Sequence, residues 1–208
     1  TKNLQENFKY LKTALIIGVL FFVSFKNKAQ LLDSVALAHL EEITNLDSAL
    51  KDPDKVIKLV LRKKHLKKFP EEILKFKNLQ YLDLSKNSIK ELPDWIGDLT
   101  QLQYLACSKT GLEHIPGQIG KLKNLKYINL NQNEIVLLPP QFGEMEKLEI
   151  ADLWSNNLSD FPASLEKLKK LKVLDLRNIL FSDEQHRYIQ ELLPNATVYL
   201  SPSCKCKW

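Results

Sequence analysis

The stretches LQYLDLSKNSIKELP (residues 79–93), LQYLACSKTGLEHIP (102–116), LKYINLNQNEIVLLP (125–139) and LEIADLWSNNLSDFP (148–162) are copies of one pattern. VIKLVLRKKHLKKFP (56–70) precedes them and LKVLDLRNILF (171–181) follows, so six segments begin 23 residues apart, at Val56, Leu79, Leu102, Leu125, Leu148 and Leu171. A fixed period of this length is the signature of a stacked repeat array. Within each copy the inner apolar-x-apolar alternation has the period of a strand, which puts Leu82 and Leu84 on one face and Tyr81 and Asp83 on the other.

The spacing of Pro116, Ile119, Leu122 and Leu125 then turns apolar residues back inward along an irregular or short helical return. One copy cannot bury its leucines alone, so stability must come from contact between neighbouring turns. The inward Asn column (Asn87, Asn133, Asn156) is expected to bond backbone groups at the turns, because a buried amide needs partners. Thr110 can do part of that work, whereas Lys64 and Ile179, in the outermost copies, cannot.

The pattern LxxLxLxxNxLxxLP followed by xxIGxLxxL resembles the leucine-rich repeat family, over residues 56–180. The LPxxIGxL element is similar to the short-repeat subtype of Ras-group scaffolds and many bacterial proteins. The resemblance implies an α/β solenoid, a right-handed superhelix with a parallel sheet on its concave face, used for recognition rather than catalysis. Helical caps are expected to cover both ends. Residues 30–55 form the first, with a helix over Leu31–Leu50 whose stripe is Leu32, Val35, Ala36, Ile43 and Leu46, ended by Pro53. Residues 181–208 form the second, with Ser182 capping a helix over Asp183–Leu193 and an edge strand over Thr197–Leu200.

Ahead of this body, Ala14–Phe25 (ALIIGVLFFVSF) is an apolar run flanked by lysines. It falls short of the about 20 residues that span a bilayer as a helix, and it matches a secretory h-region. Residues 1–29 therefore read as a signal-peptide-like segment, with cleavage after Ala29 and no stable membrane span in the mature chain. A retained segment in a cytoplasmic signalling adaptor is the alternative.

The 208 residues carry a formal net charge of +5, but residues 1–30 hold five Lys against one Glu, and the tail adds Lys205 and Lys207. Residues 31–200 keep 23 basic and 24 acidic groups, a net of −1, which gives no case for nucleic acid as a partner. Six Gly and three Cys exclude a glycine-rich phosphate cradle or a disulfide scaffold. His39, His65, His114 and His186 fall in separate elements, so neither a metal site nor a nucleophile with its base can be assembled, and no cofactor is expected. Cys107 takes a strand leucine position and reads as core. The Cys204 and Cys206 pair lies in a Lys-rich tail, and Asn157 and Asn195 begin glycosylation sequons.

Function is expected on the outward face of the sheet, in a monomer that binds a protein partner. Lys58, Tyr81, Tyr104, Tyr127, Ile150 and Val173 form one column. Val60, Asp83, Ala106, Asn129, Asp152 and Asp175 form the next. Arg62, Ser85, Ser108, Asn131, Trp154 and Arg177 form the third, with Lys63, Lys86 and Lys109 beside it. This places a basic end, an aromatic middle and an end combining Trp154 with Asp152 and Asp175. Tyr and Trp bury large area at low entropic cost, as binding hot spots do. Packing of the tyrosines on one another across turns is the competing reading of that column. A carbohydrate or cell-wall binder using the same rings is a further alternative.

Overall fold

The computed structural model describes residues 30–203. The chain divides at Leu32 into two units, and of the first only residues 30–32 are described, so the account below concerns residues 33–203. The signal-peptide-like segment, Lys205, Lys207, Cys204 and Cys206 all lie outside the described residues.

Seven short strands pair in parallel in chain order: β1 (Lys58–Val60), β2 (Tyr81–Asp83), β3 (Tyr104–Ala106), β4 (Tyr127–Asn129), β5 (Ile150–Asp152), β6 (Val173–Leu176) and β7 (Thr197–Leu200). The register keeps the sequence period, with Tyr81 opposite Tyr104, Tyr104 opposite Tyr127 and Asp152 opposite Asp175. Only the last step differs, since Val173 pairs with Thr197 after an intervening helix.

The return path is built from 3-10 turns at Glu71–Lys75, Asp94–Asp98, Gly117–Lys121, Pro140–Glu144 and Ala163–Lys167, each entered from a proline. Proline presets φ near the helical value and has no N–H to satisfy there. The reason for 3-10 turns is spacing. Parallel strands sit about 4.8 Å apart, whereas α-helices need about 10 Å, so narrow turns let the two sides stack at closer to one pitch. Glycine serves the same end: a Cβ on Gly120 would meet the carbonyl oxygen of Gln141 at 2.5 Å, and one on Gly143 would collide with that of Ser164.

The core is one continuous column of leucine, isoleucine and phenylalanine between sheet and turns, from Ala49 to Leu193. The Asn ladder runs beside it. Asn133 Oδ1 accepts from the backbone of Thr110 (2.9 Å) and Leu112 (3.1 Å), while its Nδ2 donates to Cys107 O (2.7 Å) and Leu130 O (2.9 Å). Asn87 makes the same four bonds two turns earlier, reaching Lys64, Leu66, Leu61 and Leu84. Thr110 Oγ1 lies 3.1 Å from Cys107 O and 3.0 Å from Asn133 Oδ1, so its single proton replaces one of the two bonds an amide would donate.

The helix expected over Leu31–Leu50 is not one helix. It breaks into α1 (Ser34–His39) and α2 (Leu46–Ala49), each opened by its own side-chain cap, Asp33 and Asn45. Between them Ile43 pairs with β1, accepting from Val60 N (2.9 Å) and donating to Lys58 O (3.3 Å). Bonding to the open strand edge satisfies backbone that a continuous helix would leave against unpaired β1 groups. The buried side chain of α1 is Leu37, while Val35 and Ala36 of the expected stripe are exposed. At the other end α3 (Asp183–Leu192) carries a full capping box between Ser182 and Gln185, followed by β7.

Candidate functional site

The first two expected columns stand in register across β1–β6, the residues of the third follow the strand ends, and the structure decides what each can offer. Tyr81 and Tyr104 stack with centroids 3.9 Å apart and planes within 4°. Tyr104 and Tyr127 stack at 4.6 Å and 2°. The strand spacing imposes this, since side chains directly opposite on adjacent parallel strands lie about 5 Å apart and flat rings fill that gap face to face. Burial, then the hydroxyl contact with Tyr81, pushes the Tyr104 phenol well above its ordinary pKa, and burial raises Tyr81 and Tyr127 as well. The rings are half-buried, and both faces of Tyr104 are covered by its neighbours.

The outer face of Tyr81 is also occupied. Lys58 Nζ lies 5.0 Å from its centroid. Lys58 was expected at the basic end of the exposed face, but it is only 6% exposed. Its ammonium donates to Ala38 O (3.0 Å) and Leu40 O (3.2 Å) and pairs with Glu42 (3.4 Å), which ties the C-terminal end of α1 over the first strand. Arg62 is likewise committed: its Nε donates to Asp83 Oδ2 (2.6 Å), whose carboxylate is fully buried. Neither side chain is a free cation for a ligand.

Lys63, Lys86 and Lys109 are exposed, and none forms an ion pair among the described residues. Each sits in left-handed backbone, with φ of 55°, 60° and 55°. The same position in later turns is Gln132, Ser155 and Asn178.

Trp154 is half-exposed in the third column. Its backbone N–H donates to Asp152 Oδ1 (3.2 Å), and Asn131 Nδ2 donates to Asp152 Oδ2 (2.6 Å). Burial raises the Asp152 pKa more than those bonds lower it. Asp175 is held by Arg177, whose Nε approaches to 3.0 Å. So the two acids differ: Asp175 is internally neutralised, and Asp152 is not.

Sequence reasoning missed the groove over the tyrosine column. Helix α1 roofs a cavity of about 420 Å³ whose walls include Leu37, Ala38, Tyr81, Tyr104, Tyr127 and Ile150. The Arg62–Asp83 and Asn131–Asp152 pairs were also missed, although a diagonal spacing of 21 residues, one repeat less two, marks both. Cys107 is fully buried in the core, and burial pushes its thiol up, away from nucleophile behaviour. Trp95 packs edge-on against Phe69, centroids 5.0 Å apart. Among the described residues no three His, Cys, Asp or Glu side chains gather to hold a metal ion, and no helix is long and apolar enough to cross a membrane.

Two family models match this architecture: a leucine-rich repeat region over residues 94–194 and a leucine rich repeat over residues 55–112. The chain is a leucine-rich repeat protein. No curated protein matches it in sequence. Among solved structures, this leucine-rich repeat chain is similar to a leucine-rich repeat protein of Leptospira interrogans, with 29% identity and a TM-score of 0.65 over 80% of this chain and 49% of that one. It therefore spans about half the length of that relative. Internalin C2 of Listeria monocytogenes aligns over 77% of this chain and 67% of its own, at 24% identity and a TM-score of 0.63. The ectodomain of the Arabidopsis thaliana receptor kinase GASSHO1/SCHENGEN3, solved in complex with CASPARIAN STRIP INTEGRITY FACTOR 2, aligns over 78% of this chain and 20% of its own, at 24% identity and a TM-score of 0.60. At those last two identities the likeness speaks for the fold alone.

Proposed function

We propose that this chain is an exported, monomeric, non-enzymatic recognition module of the short 23-residue subtype that binds a protein partner on its concave sheet. Tyr81, Tyr104, Tyr127 and Trp154 supply the contact area, Lys63, Lys86 and Lys109 attract acidic groups of the partner, and Asp152 and Asp175 bound the far end. The observation that carries this reading is a surface with two properties: a stacked aromatic row at the strand starts, and beyond the strand ends a row of lysines that form no ion pair among the described residues. Aromatic rows of this kind serve as anchors because they are already ordered before the partner arrives. Export rests on the lysine-flanked apolar run at residues 14–25.

The stacking also weighs against sugar binding through the tyrosines. A sugar ring packs on an aromatic face, and Tyr104 has neither face free. The test is site-specific photocrosslinking with partner-containing extract. A benzophenone at Ser108 on the concave sheet should trap a protein, and one at Lys169 on the return side should not. Equal yields from both positions would remove the concave face as the site.

A further inference from the structure

The groove beneath α1 and the lysine row lie at opposite ends of the same strands, and their separation says what kind of partner fits both. The groove follows the first residue of each strand, Tyr81, Tyr104, Tyr127 and Ile150, under Leu37 and Ala38, with Lys126 and Glu149 among the polar groups at its margin. The lysines follow the strands: Lys86 is five residues after Tyr81, and Lys109 five after Tyr104. The strands end at Asp83 and Ala106 and the lysines are left-handed, so the separation is at most the about 16 Å of fully extended chain.

The roof is built rather than accidental. Asp33 caps α1 through Val35 N (2.9 Å) and Ala36 N (2.8 Å), and the nearly buried Lys58 ammonium closes its other end. A helix about 10 Å across cannot lie on the tyrosine row under this roof, but a single side chain can enter from the open sheet. The groove's size is in the range of small-ligand pockets, enough for one large apolar side chain.

The lysine row is an unfavourable choice for folding alone. Like charges on neighbouring strands repel, and Gln, Ser and Asn take the same left-handed position in the later turns. A row of exposed like charges with no ion-pair partner among the described residues is open to carboxylates outside the fold.

Resting on the concave-face reading, we infer that the partner contributes an extended acidic segment that crosses the sheet along the strands. It seats one large apolar side chain under α1 and places carboxylates, up to about five residues away, against Lys63, Lys86 and Lys109. The fold bounds the separation of the two features, whichever way the segment runs.

The test is selection of phage-displayed random peptides on the full chain, followed by anisotropy titration of the recovered peptides. Enriched sequences should carry a large apolar residue with Asp or Glu up to about five positions away, consistently on one side of it. Ala38→Trp, which fills the groove from its roof, should weaken the recovered peptides by about tenfold or more. Lys63→Asn/Lys86→Asn/Lys109→Asn should do the same while flattening the salt dependence, and it leaves the left-handed turns with a residue suited to them. Moving the acidic residues to directly follow the apolar one should also weaken binding by about tenfold. Peptides that lose binding with Trp154→Ala but not with Ala38→Trp or the triple variant would overturn this inference and leave the concave-face reading standing. Peptides unaffected by all of these variants would overturn both. A selection that yields no binder, or binders lacking acidic residues, overturns the inference as well.

Discussion

Replacing Asn133 with Ala tests whether the inward amide ladder, rather than leucine burial alone, holds neighbouring turns in register. The amide serves two N–H groups (Thr110, Leu112) and two carbonyls (Cys107, Leu130), joining its own turn of backbone to the preceding one. A buried hydrogen bond contributes about 1 kcal/mol net, and orphaned buried N–H groups cost about 1–3 kcal/mol each, so losing all four should cost about 4 kcal/mol. Thr110 Oγ1 can still serve Cys107 O (3.1 Å), but it offers no acceptor in place of the lost Oδ1 to the Thr110 and Leu112 N–H groups. For a domain of this size that corresponds to a fall in Tm of about 8–16 °C. Urea unfolding followed by circular dichroism gives the free energy directly. Asn133→Asp sharpens the test: it keeps the acceptor but turns charged oxygen toward two carbonyls, so it should be worse than Ala at neutral pH and recover as pH falls through the carboxylate range. A loss below about 1 kcal/mol for Asn133→Ala would refute the reasoning, since the ladder would then be decoration on a leucine core.

Further perturbations probe other parts. Gly143→Ala drives a methyl into the Ser164 carbonyl and should cost about 2 kcal/mol by thermal denaturation, as overpacked sites do. Arg62→Ala leaves the buried Asp83 carboxylate without its cation and should destabilise by about 2 kcal/mol, with Asp83→Asn in the same chain restoring most of the loss in a double-mutant cycle. The raised Asp152 pKa means the folded state binds its proton more readily than the unfolded chain does. Its ionisation therefore lowers stability as pH rises from the ordinary carboxylate pKa through the raised folded value. Asp152→Asn should accordingly raise the denaturation midpoint at neutral pH, and the gain should vanish in acid.

The architecture was legible because one period governs everything: each strand pairs with the copy 23 residues on, so the register of β1–β6 follows from the spacing of the leucines. The Asn column was readable for the same reason, since a polar residue at an inward position has to bond backbone. The first two columns follow the strand register as read, but exposure does not follow from it: Lys58, Val60, Asp83 and Ala106 are buried. Lys58 and Arg62 looked free because each stands beside no acid in its own copy; their partners are backbone carbonyls of α1 and a carboxylate 21 residues away. The front helix was misjudged because periodicity cannot weigh an unpaired strand edge. Once β1 offers its backbone groups, Ile43 gains more by pairing there than by continuing a helix. The sequence left the tyrosine column open between partner contact and mutual packing; the rings do pack on one another, so truncating Tyr127 will cost stability as well as contact area.

Trp154→Ala therefore gives the most direct measurement of the central claim, because Trp154 belongs to the outward face and lies outside the tyrosine stack. Against the partner trapped at Ser108, titration calorimetry should show binding weakened by about tenfold to a thousandfold, or about 1–4 kcal/mol, with an unchanged melting temperature. Undiminished affinity at an unchanged melting temperature would contradict recognition by the concave sheet.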